Sequence, residues 1–177
     1  MSLVVSRWQL GLLFLLVLSS KMFAASSEAE LFGIKINDLE KSQFESHLKK
    51  MGLEAYPSYH QGVVTYSLGK EGILGIKNLS VSFNRFAYFQ QATMSGVVEN
   101  AKQRSTLGRL LVEKYGEPTQ GFVRDGYGRA TWYFSDGTMI QLRNTTFDVS
   151  VIYVDQAPKQ VSTSGRIDVE ALLRKSR

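Results

Sequence analysis

Residues 129–155 read RATWYFSDGTMIQLRNTTFDVSVIYVD, three apolar runs broken at Asp136-Gly137 and at Asn144-Thr145-Thr146. Short runs rich in β-branched and aromatic residues, bounded by turn formers, read as strands. Asp-Gly between two such runs is the strongest short hairpin signal, because a type I′ turn needs positive φ at both central positions. The stretch therefore predicts strands over 130–134, 138–143 and 147–154, the first two closed by a two-residue turn. An antiparallel meander is the starting point of the fold.

Side chains alternate along a strand, so the turn decides which residues face a core. With Asp136-Gly137 central, Phe134 faces Met139, Tyr133 faces Ile140 and Trp132 faces Gln141, while the third strand sets Phe147 beside Leu142 and Val149 beside Ile140. Thr131, Tyr133, Ile140, Leu142, Phe147, Val149, Val151 and Tyr153 then form one apolar face for a helix to cover. The opposite face carries Gln141, Arg143, Asp148 and Ser150, with Trp132, Phe134 and Met139 at the turn end. Either that trio packs on another part of the chain, or it is an exposed patch of aromatic anchors suited to a protein interface. On the second reading Trp132, Phe134 and Met139 are candidate contact residues, joined by Tyr66 and Leu68, which align with Trp132 and Phe134 in the first half.

Upstream, 31–36 reads as a short strand. A helix follows, starting at Asn37 or Ser42, each with a glutamate at capping-box spacing; Phe44, Leu48 and Met51 form its apolar stripe and Gly52 closes it. Strands are predicted over 63–68, 73–77, 79–83 and 86–97. The second helix runs from near Asn100, with Gln103 at capping-box spacing, through Leu107, Leu110, Leu111 and Tyr115 to Gly116, and Pro118 prevents its continuation.

The order helix, glycine, loop and three strands occurs twice, over 31–97 and 98–155. Thr65-Tyr66-Ser67-Leu68 aligns with Thr131-Trp132-Tyr133-Phe134, 73–78 with 139–144, and Val81-Ser82-Phe83 with Val149-Ser150-Val151. Duplication and chance similarity between β-rich segments both remain open. The fold class expected is α+β: antiparallel sheet with two main helices on one face, with a tandem helix-plus-three-strand repeat as one reading, and a short C-terminal tail helix.

In plan, the two helices ending at Gly52 and Gly116, each followed by a hairpin and a third strand, resemble the tandem helix-plus-sheet repeats of β-lactamase inhibitor proteins. More loosely they resemble the small outer-membrane assembly lipoproteins of that fold group. The resemblance spans about 31–154 and implies roles in inhibition or envelope assembly. The chain lacks those relatives' cysteines and lipidation site, and no functional residue transfers.

The 177 residues, 44% hydrophobic and 21% charged, suit one globular domain. Arg7, the uncharged run LGLLFLLVL over 10–18 and the small residues Ala24, Ala25, Ser26 and Ser27 follow the order of a secretory signal peptide, expected over 1–25. The run is shorter than the roughly 20 residues a membrane-spanning helix needs, leaving a retained anchor as the second reading. A periplasmic or secreted protein is expected. With no cysteine there is no disulfide framework and no lipid acceptor, so stability rests on packing. Of the net charge of +5, Arg7 and Lys21 carry two and the tail from Gln156 carries three, which leaves the domain neutral. A basic groove for nucleic acid is therefore not expected, and an anionic membrane surface would meet the tail.

The chemical inventory is sparse. His47 and His60 are the only imidazoles, no nucleophile elbow accompanies them, and no set of His, Cys and carboxylates has metal-ligand spacing. The glycines at 69, 72 and 75 lack the Gly-Lys-Ser/Thr ending of a phosphate loop and read as a turn. No catalytic residue, metal or cofactor is expected. A small cell-wall hydrolase working through carboxylates is the alternative, although Asp125, Asp136 and Asp148 read as turn and surface residues. The tail 156–177 begins as a linker and ends in a helix with Val169, Leu172 and Leu173 followed by Arg174, Lys175 and Arg177. It is either a frayed terminus or a docking element, and in the second case Leu172, Leu173 and Arg174 are further candidate contacts. The expected function is that of an exported, non-enzymatic protein-interaction module: inhibitor, immunity factor, chaperone or envelope-assembly accessory.

Overall fold

The computed structural model describes residues 27–56 and 62–160. A small hairpin of β1 (Glu30–Leu31) and β2 (Ile34–Lys35) leads into α1 (Lys41–Lys50), then β3 (Ala55–Tyr56), β4 (Val63–Ser67), β5 (Asn78–Phe83) and β6 (Phe89–Val97). The pattern then recurs as α2 (Ala101–Tyr115), β7 (Gln120–Arg124), β8 (Tyr127–Tyr133), β9 (Thr138–Asn144) and β10 (Asp148–Asp155). Strands β3 to β10 make one antiparallel sheet in the order β3-β4-β5-β6-β10-β9-β8-β7. The α+β class is as the sequence predicts. Each unit has four strands rather than three, and the units share one sheet through β6 and β10. The region 1–25, His60 and the tail helix with Leu172, Leu173 and Arg174 lie outside the described residues.

The two units relate by a local twofold at the β6–β10 ladder. Ala92 faces Tyr153 and Met94 faces Val151. Exchanging Ala92 with Val151 and Met94 with Tyr153 returns the same ladder. Outward from it, Leu79 and Ile140 hold matching places, as do Tyr66 and Trp132. The match of Tyr66 with Trp132 is thus reproduced. Beyond it the alignment slipped by a strand: residues 73–77 form a tight turn with one bridge between Ile73 and Ile76, because Leu74 and Gly75 both have positive φ, and β5 is the counterpart of β9.

The helices form where local chemistry allows. Asn100 Oδ1 accepts the Gln103 N–H at 3.0 Å, satisfying a first-turn donor of α2, and Gly116 at φ 78° ends it. Helix α1 starts later than Asn37 and just before Ser42. Its N-terminal residue Glu40 makes no side-chain cap, and the Lys41 N–H donates instead to the Ala87 carbonyl at 2.8 Å. Both helices cover the same sheet face, and one cluster unites Phe44 and Leu48 of α1, Leu107, Leu111 and Tyr115 of α2, and the inward residues of β4 to β10. Phe44 meets Tyr66, Phe83 and Phe89 edge-on at ring separations of 6.0–6.3 Å. Truncating such a buried ring to alanine costs about 3–5 kcal/mol.

The hairpin at Asp136-Gly137 forms, but with a different turn. Gly137 is at φ 82° while Asp136 is not in the positive-φ region, so the type I′ geometry fails. The Gly137 N–H donates to the Phe134 carbonyl at 3.1 Å and the Phe134 N–H to the Thr138 carbonyl at 3.0 Å. This is a three-residue loop of Ser135, Asp136 and Gly137, a type I turn followed by a left-handed glycine. Asp136 Oδ1 fixes it by accepting from the Thr138 N–H and hydroxyl. The extra residue shifts the register by one, so Trp132 faces Ile140 and Tyr133 faces Met139.

A one-residue shift exchanges faces. Trp132 is 2% exposed and its Nε1–H donates to the Gly116 carbonyl at 2.9 Å, while Tyr133, expected in the core, is 43% exposed. Phe134 turns toward the core and packs edge-on against Tyr115 at 5.5 Å. Thr131 leaves the core with Tyr133, and Ala130 enters it. Strand β10 pairs four residues further along than expected, with Val151 opposite Leu142 and Tyr153 opposite Ile140. An even shift preserves the faces. It also pushes Phe147 into the loop, 57% exposed.

Two packing details bear on the site. Gly108 of α2 lies against Gly126 in the β7–β8 turn so closely that a Cβ at position 108 would sit 1.9 Å from the Gly126 oxygen. The turn is also tied to α2 and β9 by Ser105 Oγ donating to the Asp125 carbonyl (2.7 Å), the Tyr127 hydroxyl to Ala101 O (2.7 Å) and Asn144 Nδ2 to Gly126 O (2.8 Å). At the other end, the start of the tail is part of the domain. The Gln156 N–H donates to Gly137 O, the Lys159 N–H to Asp38 Oδ1, and Asn84 Nδ2 to Lys159 O.

Candidate functional site

The two helices cover one sheet face, and the other face has no helix over it among the described residues. Its cross-strand rows follow from the register. One runs Ser67, Asn78, Ser95, Ser150, Arg143, Arg129, Phe122; the next runs Tyr56, Thr65, Ser80, Thr93, Ile152, Gln141, Thr131, Gln120; a third runs Val63, Ser82, Gln91, Val154, Met139, Tyr133.

The face is polarised. Over β4, β5 and β6 it is a carpet of Ser, Thr, Asn and Gln beside Val63, without a charged residue in those rows. Over β7, β8 and β9 it gathers Phe122 (64% exposed), Tyr133, Arg129 and Arg143. Tyr and Arg are enriched among the residues that dominate binding energy at protein interfaces, and Phe is enriched in interface composition. A shallow hollow of about 370 Å³ opens there, lined by Gln120, Arg129, Thr131, Gln141 and Arg143 over the backbone of Gly121, Ala130 and Leu142.

Arg129 and Arg143 are direct cross-strand partners. Like charges directly opposite one another in a sheet repel. No carboxylate lies within salt-bridge distance of either among the described residues, where the ion pairs join Lys35 to Glu28, Lys41 to Glu45 and Lys114 to Glu30. Arg104 provides a contrast within the same chain. It is nearly buried on the helix side, where its Nε donates to Asn144 Oδ1 at 3.3 Å and its guanidinium lies 5.0 and 5.3 Å from the Tyr127 and Phe147 ring centres. Arg104 is satisfied by the fold itself, whereas Arg129 and Arg143 face outward.

His47, Asp136 and Asp155 are engaged in contacts of the fold. His47 Nε2 is bonded to the Phe32 carbonyl at 2.9 Å. Asp38 and Asp136 both lie near enough to Asp155 for their charges to act on it. Burial raises the Asp155 pKa above its ordinary value, with the charges of Asp38 and Asp136 adding to that and two backbone N–H groups opposing it. Asp155 accepts from the N–H groups of Asp38 and Ala157, and Asp136 fixes its own turn, so both are committed to backbone. No group of three His, Cys, Asp or Glu able to hold a metal occurs among the described residues. A separate groove of about 530 Å³ runs beside β3, lined by Glu45, Lys49, Leu53, Glu54, Ala55 and Tyr66. The Tyr66 hydroxyl is buried without a hydrogen-bond partner, and burial pushes its pKa up to about 12, Glu45 adding to the shift.

Of the residues expected from sequence to make contacts, Met139 stands on the open face, while Trp132, Phe134, Tyr66 and Leu68 turn toward the core. The polar residues Gln141, Arg143 and Ser150 lie where the sequence placed them. Arg129 and Phe122 were missed, because each enters the site only through its cross-strand neighbour. Comparison with known protein families, characterised proteins and solved structures returned no match.

Proposed function

We propose that this is an exported, non-enzymatic interaction module whose working surface is the open sheet face, and specifically its β7–β9 half. The observation that supports this reading is the concentration there of Phe122, Tyr133, Arg129 and Arg143 on the strand framework, while the equivalent strands β3–β5 carry on this face small polar side chains with Val63 and the exposed Tyr56, and no arginine among the described residues. A rigid sheet positions contact residues at little entropic cost on binding. Inhibitor, immunity, chaperone and envelope-assembly roles all need such a surface.

Site-specific photo-crosslinking tests the reading. A benzophenone side chain at Tyr133 or Phe122 is expected to give discrete adducts in cells, whereas one at Leu110, exposed on the outer side of α2, gives none. Equal adduct yield from Leu110, or turnover of cell-wall polymer by the purified protein, would overturn it.

A further inference from the structure

We propose that Arg129 and Arg143 form a two-guanidinium clamp for the carboxylates of an acidic segment of a protein partner. The proposal rests on the docking-face reading and names the chemistry of the partner. Three observations converge on it. The two arginines are direct cross-strand partners, so their side chains rise from neighbouring backbone positions. Neither has a carboxylate within salt-bridge distance among the described residues. Between and beside them the hollow offers amide and hydroxyl groups of Gln120, Gln141 and Thr131, able to donate to the same oxygens.

A carboxylate suits this arrangement because the planar guanidinium presents paired N–H groups that match two oxygens, and because its charge relieves the repulsion between the two arginines. The neighbours point to a protein as its source. Phe122 stands beyond Arg129 in the same row and is largely exposed, as an apolar anchor for a partner side chain would be. A lipid surface is recognised by clusters of roughly four to eight basic residues, and the hollow is lined by two. Direction follows as well. Asp148 lies on β10 two residues from Ser150, the neighbour of Arg143, so the β10 side repels acid and the segment enters over Phe122 from the β7 edge.

The clamp has a signature that a passive surface lacks, since each arginine opposes stability in the free protein and supports binding. The test uses a fluorescein-labelled hexaglutamate peptide, inorganic phosphate and anionic phosphatidylglycerol vesicles against wild type, Arg129→Gln, Arg143→Gln and the helix-side control Lys102→Gln. The expected result is salt-sensitive peptide binding, weakened about tenfold by either arginine substitution and unchanged in the control. The melting temperature of the free Arg129→Gln and Arg143→Gln proteins is expected to rise by about 1–3 °C. Peptide affinity equal in wild type and both variants would overturn the clamp, as would binding to vesicles or phosphate without binding to the peptide. Crosslinks from Tyr133 that persist unchanged in Arg129→Gln and Arg143→Gln would leave the docking face standing and remove the clamp; their absence in wild type removes the docking face.

Discussion

Gly108→Ala sets a local preference against a tertiary contact. In an exposed helix, alanine in place of glycine gains about 1 kcal/mol. Here the new Cβ would lie 1.9 Å from the Gly126 oxygen, 2.5 Å from its carbonyl carbon and 2.8 Å from its Cα, all backbone atoms that no rotamer change can move. Ordinary contact needs more than 3 Å, so the β7–β8 turn must withdraw from α2 by over an ångström. That displacement strains the bonds from Ser105 to Asp125, Tyr127 to Ala101 and Asn144 to Gly126, now 2.7–2.8 Å long. At about 1 kcal/mol for each bond, and up to about 3 where a buried group is left unpaired, the loss is about 3–5 kcal/mol. Subtracting the helix gain leaves a net destabilisation of about 2–4 kcal/mol. Urea unfolding followed by circular dichroism measures it, with Arg109→Ala on the exposed side of the same helix expected within about 0.5 kcal/mol of wild type. A Gly108→Ala protein as stable as wild type would refute the reasoning, because intrinsic propensity would then outweigh the contact. The same displacement shifts the hairpin bearing Phe122 and Arg129, so peptide binding should weaken alongside stability.

Tyr66→Phe removes a buried hydroxyl that has no partner and is expected to stabilise the fold by about 1 kcal/mol, read as a higher urea midpoint at unchanged slope; a loss of stability would mean that the hydroxyl is satisfied in solution. The raised pKa of Asp155 means that the folded state takes up this proton before the unfolded state does. Relative to Asp155→Asn, wild type should therefore gain stability as pH falls from neutrality toward the unperturbed value of 3.8, with a constant difference below it. Melting curves of the two proteins across that window check the sign, and a gap that moves the other way contradicts the burial argument. In a chain beginning at Ser26, Trp132 is the sole tryptophan; its emission should be blue-shifted and protected from iodide, as its burial and its bond to Gly116 require.

Much of the framework was legible because local chemistry determined it. Asn100 with Gln103 marked the start of α2 and Gly116 its end, and both act as caps through contacts within a few residues. The hairpin at Asp136-Gly137 was legible as a turn but not as a turn type. The choice between a two- and a three-residue loop depends on Asp136 bonding Thr138 and on where Trp132 finds an acceptor, and Gly116 lies 16 residues away from it. That single residue of register moved Trp132 from surface to core and Tyr133 from core to surface. Strand β7 was not legible because Gln120-Gly121-Phe122-Val123-Arg124 lacks a clean alternation and is ordered by β8 and α2. The arginine pair was half visible: Arg143 belonged to the polar face by parity, but its neighbour Arg129 could be recognised only once the turn was known.

The ladder between β6 and β10 carries a consequence for how such a molecule arises. Its contacts are those of an isologous interface, in which two identical surfaces meet across a twofold axis and each supplies the other's complement. A single helix-plus-four-strand unit would end in a long unpaired edge that is its own best partner, a template for self-association. Joining two units through residues 98–100 makes that pairing intramolecular, at the high effective concentration set by a three-residue tether, and seals the edge at any dilution. It also frees the two units from having to be alike. One unit can keep a quiet Ser and Thr surface while the other accumulates arginines and aromatics, a division of labour that a symmetric pair of identical chains cannot reach.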